Sequence, residues 1–78
     1  MRKDDITYSI EKHIGTYSGL EGETWTGEVN IVSWNGNEPK LDMRRWAPDH
    51  ARCSGGITFT VREAEKLYEI LKDYHERG

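Results

Sequence analysis

All three tryptophans and the densest positive charge of this chain share one stretch, Trp25 to Trp46, reading WTGEVNIVSWNGNEPKLDMRRW. Trp34 closes one strand-like run, and Lys40, Arg44, Arg45 and Trp46 belong to the next. Aromatic rings on sheet positions present flat π-faces, and neighbouring Lys or Arg can follow a phosphate backbone. Stacking is worth about 1–3 kcal/mol per base, so two or three rings suffice for useful binding. These residue types therefore point first to recognition of single-stranded nucleic acid. The same residues also admit a plainer reading, in which the tryptophans are core or interface residues and the arginines a solvated face. From pattern alone the two readings stand level.

The elements that must hold these residues can be read from periodicity. Thr24 to Trp34 is rich in Thr, Val, Ile and Trp, which suit a pleated surface. Its alternation puts Val29 and Ile31 on one face and Glu28, Asn30, Val32 and Trp34 on the other. Gly27 within the run suggests a bulge or bend. Asn35-Gly36 is a strong hairpin signal, and Pro39 argues for a slightly longer loop than two residues. Lys40 to Trp46 is the next strand: Leu41 and Met43 lie on one face, Lys40, Asp42, Arg44 and Trp46 on the other. The expected core is thus Val29, Ile31, Leu41 and Met43. Asp42, flanked by Lys40 and Arg44, is expected to orient the planar fork of Arg44. Arg45 has inward parity on a flat strand.

Upstream, Ile6 to Ile14 places Ile6, Tyr8, Ile10 and Ile14 at one parity and predicts a first strand, followed by a loop over Tyr17 to Glu23. Downstream, 47–56 reads as a loop and Ile57-Thr58-Phe59 as a short fourth strand. Thr60-Val61-Arg62-Glu63 has the form of a capping box, predicting a helix from Thr60 to about Glu76, with Gly78 at its end. Ala64, Leu67, Tyr68, Ile70, Leu71 and Tyr74 cover nearly half the helical circumference. A single sheet contact needs a stripe of roughly 100°. The excess implies a second partner for Leu67, Ile70, Leu71 and Tyr74, most simply the same helix of a second copy.

Bulk properties bound what such a chain can be. Its 78 residues make one domain over 1–78, with 35% hydrophobic residues and a mean hydropathy of -0.87, so a monomer would be short of core. One cysteine, Cys53, excludes an internal disulfide and fits a reducing compartment. No apolar run suits a signal peptide or membrane span, which points to a cytoplasmic protein without a membrane partner; nucleoid association is expected only in so far as the chain binds DNA. The net charge of -3 is uneven. Residues 1–38 hold three basic and seven acidic groups, residues 39–59 hold four and two, and residues 60–78 hold four and five. The basic segment is the one that carries Lys40, Arg44, Arg45 and Arg52.

Other chemistries find less support. His50 and Cys53 lack a second pair at zinc-finger spacing, so no metal or other cofactor is expected. No nucleophile–base motif is present, and Ser54-Gly55-Gly56 precedes a strand where a phosphate loop would precede a helix. An enzyme with a small-molecule substrate is therefore not expected.

The order β-β-β-β-α, with EVNIVSW at 28–34, KLDMRRW at 40–46 and GGITFT at 55–60, resembles the positive cofactor 4 (PC4) family of single-stranded DNA-binding proteins, and most of all its bacterial YdbC-type branch. The similarity runs over roughly residues 6–74. It implies an α+β fold, a curved four-stranded antiparallel sheet followed by one C-terminal helix, in a homodimer whose helices pack across the two-fold axis. It implies non-catalytic binding of single-stranded DNA or RNA with little sequence preference, in transcription regulation or coactivation or other DNA metabolism. Carried over by position, Trp34 and Trp46 match family aromatics, Arg44 the basic residue of the D-[IM]-R motif, and Lys40 the start of the family's basic third strand. Arg45, Arg52 and Lys12 are second-rank phosphate contacts, and Trp25 and Asn30 line the same groove. The chain departs from the family at Asn35, Asn37 and Glu38, where lysines are usual, and at Gly55, where a basic residue is usual. The alternative from another class is a protein-interaction module that turns the same Trp/Arg face toward an acidic partner.

Overall fold

A computed structural model describes residues 7–20 and 24–77. Ile6 of the expected first strand, residues 21–23 of the expected loop, and Gly78 at the expected helix end lie outside the described residues. The elements are β1 (Tyr8–Ser18), β2 (Thr26–Trp34), β3 (Lys40–Trp46), β4 (Cys53–Phe59) and α1 (Val61–Arg77). The four strands form one antiparallel sheet in the order β1-β2-β3-β4. No helix among the described residues is long and apolar enough to cross a membrane.

Local chemistry explains the joints. Asn35 and Gly36 both have positive φ, 54° and 76°, and the Asn37 amide donates to the Trp34 carbonyl at 2.9 Å. This is the primed turn that Asn-Gly favours. Glu38 and Pro39 then pass unpaired before the β2–β3 ladder begins at Val32–Lys40. At α1, the Thr60 amide donates to Glu63 Oε1 (2.9 Å) and the Glu63 amide to Thr60 Oγ1 (3.1 Å), the reciprocal bonds of a capping box.

Two strands differ from the expected bounds. β1 runs on to Ser18, through the expected loop residues Tyr17 and Ser18, and β4 begins at Cys53, through Ser54-Gly55-Gly56. In β1, simple alternation fails at three register shifts, between Ile10 and Lys12, His13 and Gly15, and Thr16 and Ser18. Each leaves one residue unpaired. Directly opposed residues share a face, so the shifts bring Tyr8, Ile10, His13 and Thr16 onto the face of Trp34, Val32, Asn30 and Glu28. Gly27 is no bulge in β2, whose ladder with β3 is continuous. It is a crossing point: a Cβ there would lie 2.7 Å from the Tyr17 ring.

The sheet is strongly curled. Trp46 pairs with Thr26, eight residues along β2 from Trp34, a span of about 26 Å on a flat strand. Yet the Trp34 and Trp46 ring centroids are 6.1 Å apart. The curl decides where the core lies, and it inverts the expectation. Val29, Ile31, Leu41 and Met43 share a face as expected but are only half-buried. The buried residues Glu28, Asn30, Val32, Asp42 and Trp46 are on the other, inner face. α1 has no buried residue and touches the sheet only at β3 and β4.

Candidate nucleic-acid interface

The inner face is built around a carboxylate. Asp42 is fully buried, at 0% exposure. Its Oδ1 accepts from Arg44 Nε (2.7 Å), and its Oδ2 accepts from Arg44 Nη2 (2.8 Å), Trp34 Nε1 (3.1 Å) and Thr58 Oγ1 (2.9 Å). Each donor comes from the element that register dictates. Trp34 ends β2, Arg44 is two residues along the same face of β3, and Thr58 opposes Asp42 on β4. The expected Asp42–Arg44 pairing is therefore present in fork-to-fork form. Hydrogen bonding to Asp42 raises the Arg44 pKa above its ordinary value against the opposing effect of burial. The guanidinium also lies 4.6 Å over the Trp34 ring and donates to the Ser54 carbonyl. This arrangement needs Gly56 opposite Arg44, where a Cβ would sit 2.4 Å from both Arg44 Cβ and the Met43 carbonyl oxygen.

Trp34 is half-buried and stacks nearly parallel (10°) on Trp46, with Tyr8 tilted against both. Trp46 departs from its expected role. It is 0% exposed, so in this conformation its ring supports Trp34 and offers no surface to a base. Its Nε1 is buried without a hydrogen-bond partner among the described residues. Asn30, expected to line the groove, is likewise 0% exposed, because the curl draws the middle of β2 inward.

The remaining candidates divide. Lys40 is exposed and pairs with Val32, on the face of Trp34. Arg52 is exposed with its guanidinium 5.7 Å from the Trp25 ring centroid, a second Trp–Arg pair. Arg45 is half-buried and ties strands together, donating to Ser18 Oγ (3.1 Å) and the Trp25 carbonyl (3.4 Å). Lys12 is exposed but lies opposite Ile31, hence on the outer, apolar face. The bulge after Ile10 moves it there, which corrects its assignment to the Trp34 groove.

Sequence reasoning missed a second polar cluster beside this one. Glu28, 6% exposed, accepts from Thr26 Oγ1 (2.6 Å), Asn30 Nδ2 (3.1 Å) and His50 Nε2 (2.9 Å). Burial pushes the Glu28 carboxyl up. The bonds from Thr26, Asn30 and His50, with the charge of His50, outweigh it and leave the pKa below its ordinary value. With the Asn30 amide nitrogen turned to Glu28, its Oδ1 accepts from His13 Nδ1 at 2.6 Å. His13 Nε2 is then free to accept from the Thr16 hydroxyl at 3.1 Å. His13 reaches this face only through the β1 bulges, and His50 from a loop, so neither had a periodic signal. Among the described residues, no group of three or more His, Cys, Asp or Glu is placed to hold a metal ion.

Fold and site together define a small α+β protein whose single curled antiparallel sheet encloses aromatic rings and two buried carboxylates. No protein-family model matches the chain. An uncharacterized protein of Treponema pallidum (strain Nichols) is 37% identical over 68 residues, covering 87% of this chain and 79% of that protein. The chain belongs to the same family as this relative.

Proposed function

We propose that the protein binds single-stranded nucleic acid, DNA in the first instance, as a non-catalytic homodimer of the PC4 type. The observation that carries this reading is the Trp34–Arg44 layer. A guanidinium over an indole is a flat π-surface, and bases stack on guanidinium planes as well as on rings. Asp42 fixes that layer in advance, so little side-chain order is lost on binding. Lys40 on the same face supplies charge for a phosphate, and Trp25–Arg52 repeats the combination of ring and cation. The sequence resemblance to PC4 supports the same reading and suggests a role in transcription or other DNA metabolism.

The homodimer is supported by the apolar surface the monomer leaves uncovered. Val61, Tyr68, Ile70, Leu71 and Tyr74 of α1 are each more than half exposed, and Leu67 half-buried. With Ile31, Leu41 and Phe59 of the outer sheet face, the first turns of α1 border an open cavity of about 870 Å³.

The test is fluorescence anisotropy of a short labelled oligo-dT, with the same length of duplex as competitor. Binding of the single strand with weak competition by duplex is expected, because paired bases cannot reach the rings. No binding at low salt, with capture of an acidic protein partner, would replace this reading with a protein-interaction module.

A further inference from the structure

The inner face contains one group that the closed structure leaves unused. Trp46 is a large aromatic at 0% exposure, and its indole N–H is a buried donor without an acceptor among the described residues. Buried polar groups are nearly always paired, so an orphan invites an explanation in function. The Trp46 ring is enclosed by three others. Tyr8 (5.1 Å between centroids) and Trp34 (6.1 Å) belong to the sheet, whereas His50 (5.7 Å) belongs to the loop that follows β3.

That loop, residues 47–52, is a self-contained turn. The Ala47 amide donates to the Arg52 carbonyl, the His50 amide to the Ala47 carbonyl, and the Ala51 amide to Asp49 Oδ1. These bonds are internal and would survive movement of the loop as a unit. Among the described residues, its side-chain hydrogen bonds to the sheet all run through His50: Nε2 donates to Glu28, and the His50 carbonyl accepts from the Tyr8 hydroxyl. His50 itself has φ +58°, a conformation uncommon for a residue with a side chain. His50 thus carries the loop's hydrogen bonds to the sheet and also covers Trp46, while Ala47 is buried at the β3 end and the Arg52 guanidinium lies 5.7 Å from the Trp25 ring centroid.

We propose that residues 47–52 form a lid latched by His50 to Glu28 and Tyr8, and that its opening presents Trp46 to a base of single-stranded nucleic acid. This rests on the reading above for its ligand. The opened ring extends the Trp34–Arg44 layer, since Trp34 already stacks on it. The orphan indole N–H gains an acceptor from the ligand, and Glu28 keeps its bonds from Thr26 and Asn30 when the latch is released.

Two measurements on the full chain test lid and ligand separately. The first follows hydrogen exchange of the tryptophan indole N–H groups by NMR, without nucleic acid. His50→Asn tolerates the positive φ but cannot span to Glu28, and it should speed Trp46 exchange by about tenfold or more. The indole of Trp34, held by Asp42, serves as the internal reference and should change little. Glu28→Gln should act in the same direction. Equal acceleration at both indoles reports global destabilisation, and no acceleration means the loop is no lid; either result overturns the proposal. The second measurement titrates oligo-dT. His50→Asn should bind several-fold tighter than wild type, and Trp46→Leu in that background should remove the gain. Oligo-dT that binds equally to wild type and His50→Asn refutes the lid as a gate and leaves nucleic-acid binding intact. Failure of every variant to bind refutes the ligand, whatever the exchange rates show.

Discussion

The salt dependence of oligonucleotide binding can separate the roles of Lys40, Arg44 and Arg52. A cation raises the salt slope only if it neutralises a phosphate on binding, releasing a counterion. Arg44 is already neutralised: its guanidinium is bonded to both oxygens of Asp42, and its side chain is only 14% exposed. Lys40 and Arg52 are exposed, and among the described residues neither makes an ion pair with an acidic residue. With these two as the phosphate contacts of one protomer, log K against log salt should have a slope of about -1.4, at about 0.7 per contact. Between 50 and 200 mM salt that is about a sevenfold loss of affinity, against about 18-fold if Arg44 counted as well. The assay is anisotropy of labelled oligo-dT across that range. Lys40→Ala and Arg52→Ala should each reduce the slope by about 0.7. Arg44→Lys retains a charge but loses the planar fork, so it should weaken binding at all salt concentrations and leave the slope unchanged. A slope that falls with the Arg44 substitution and stays constant with Lys40→Ala would refute the assignment of stacking to the first and phosphate contact to the second.

Three further outcomes follow from the inner face. Arg44→Ala leaves the Asp42 charge buried with only Trp34 and Thr58 as donors, and should cost about 3–5 kcal/mol. In a domain of this size that lowers Tm by more than about 12 °C in a thermal melt; a shift below a few degrees would contradict the buried pair. Gly56→Ala should destabilise strongly because its Cβ meets Met43 and Arg44 backbone and Cβ atoms, whereas Gly55→Ala, with nothing within 4 Å, should be near neutral by urea denaturation. The Glu28 carboxyl lies below its ordinary 4.5 in the folded state. Its ionised form therefore favours folding above that value, and the advantage is lost as pH falls through the lower folded value. The stability difference between wild type and Glu28→Gln should shrink toward acid over that range, and a difference that grows would show the sign to be wrong.

The elements were legible where local chemistry decides. Asn35-Gly36 announces its turn, Thr60 and Glu63 their capping box, and alternation in β3 gives its bounds without error. The parity of β2 and β3 was also legible, and with it the company of Trp34, Asp42 and Arg44. What parity does not give is which face is enclosed. Hydrophobicity favours Val29, Ile31, Leu41 and Met43. The curl instead encloses the opposite face, where Asp42 and Glu28 are made tolerable by donors from several strands and a loop. Those donors include Thr58 on β4 and His50 on the lid, far away in sequence, and no window of neighbouring residues contains them. The bulges of β1 are hidden for the same reason: they show only in the pairing with β2, and the shared parity of Ile6, Tyr8, Ile10 and Ile14 does not announce them.

The inversion of the faces bears on the proposed dimer. The inner face offers little surface to a partner, being filled by Trp46, Val32, Asn30 and Asp42. The outer face and α1 offer more, since Ile57, Ile70, Leu71 and Tyr74 are 58%, 62%, 54% and 74% exposed. Covering that surface with a second copy leaves the Trp34–Arg44 layer and the lid on the opposite side of the sheet, free for ligand. Sedimentation should accordingly give twice the chain mass, and Tm should rise with protein concentration. Leu71→Glu should lower the mass toward that of one chain and remove the concentration dependence. A well-folded monomer in the wild type, with Tm independent of concentration, would mean that the exposed apolar surface is simply solvated and that the helix needs no partner.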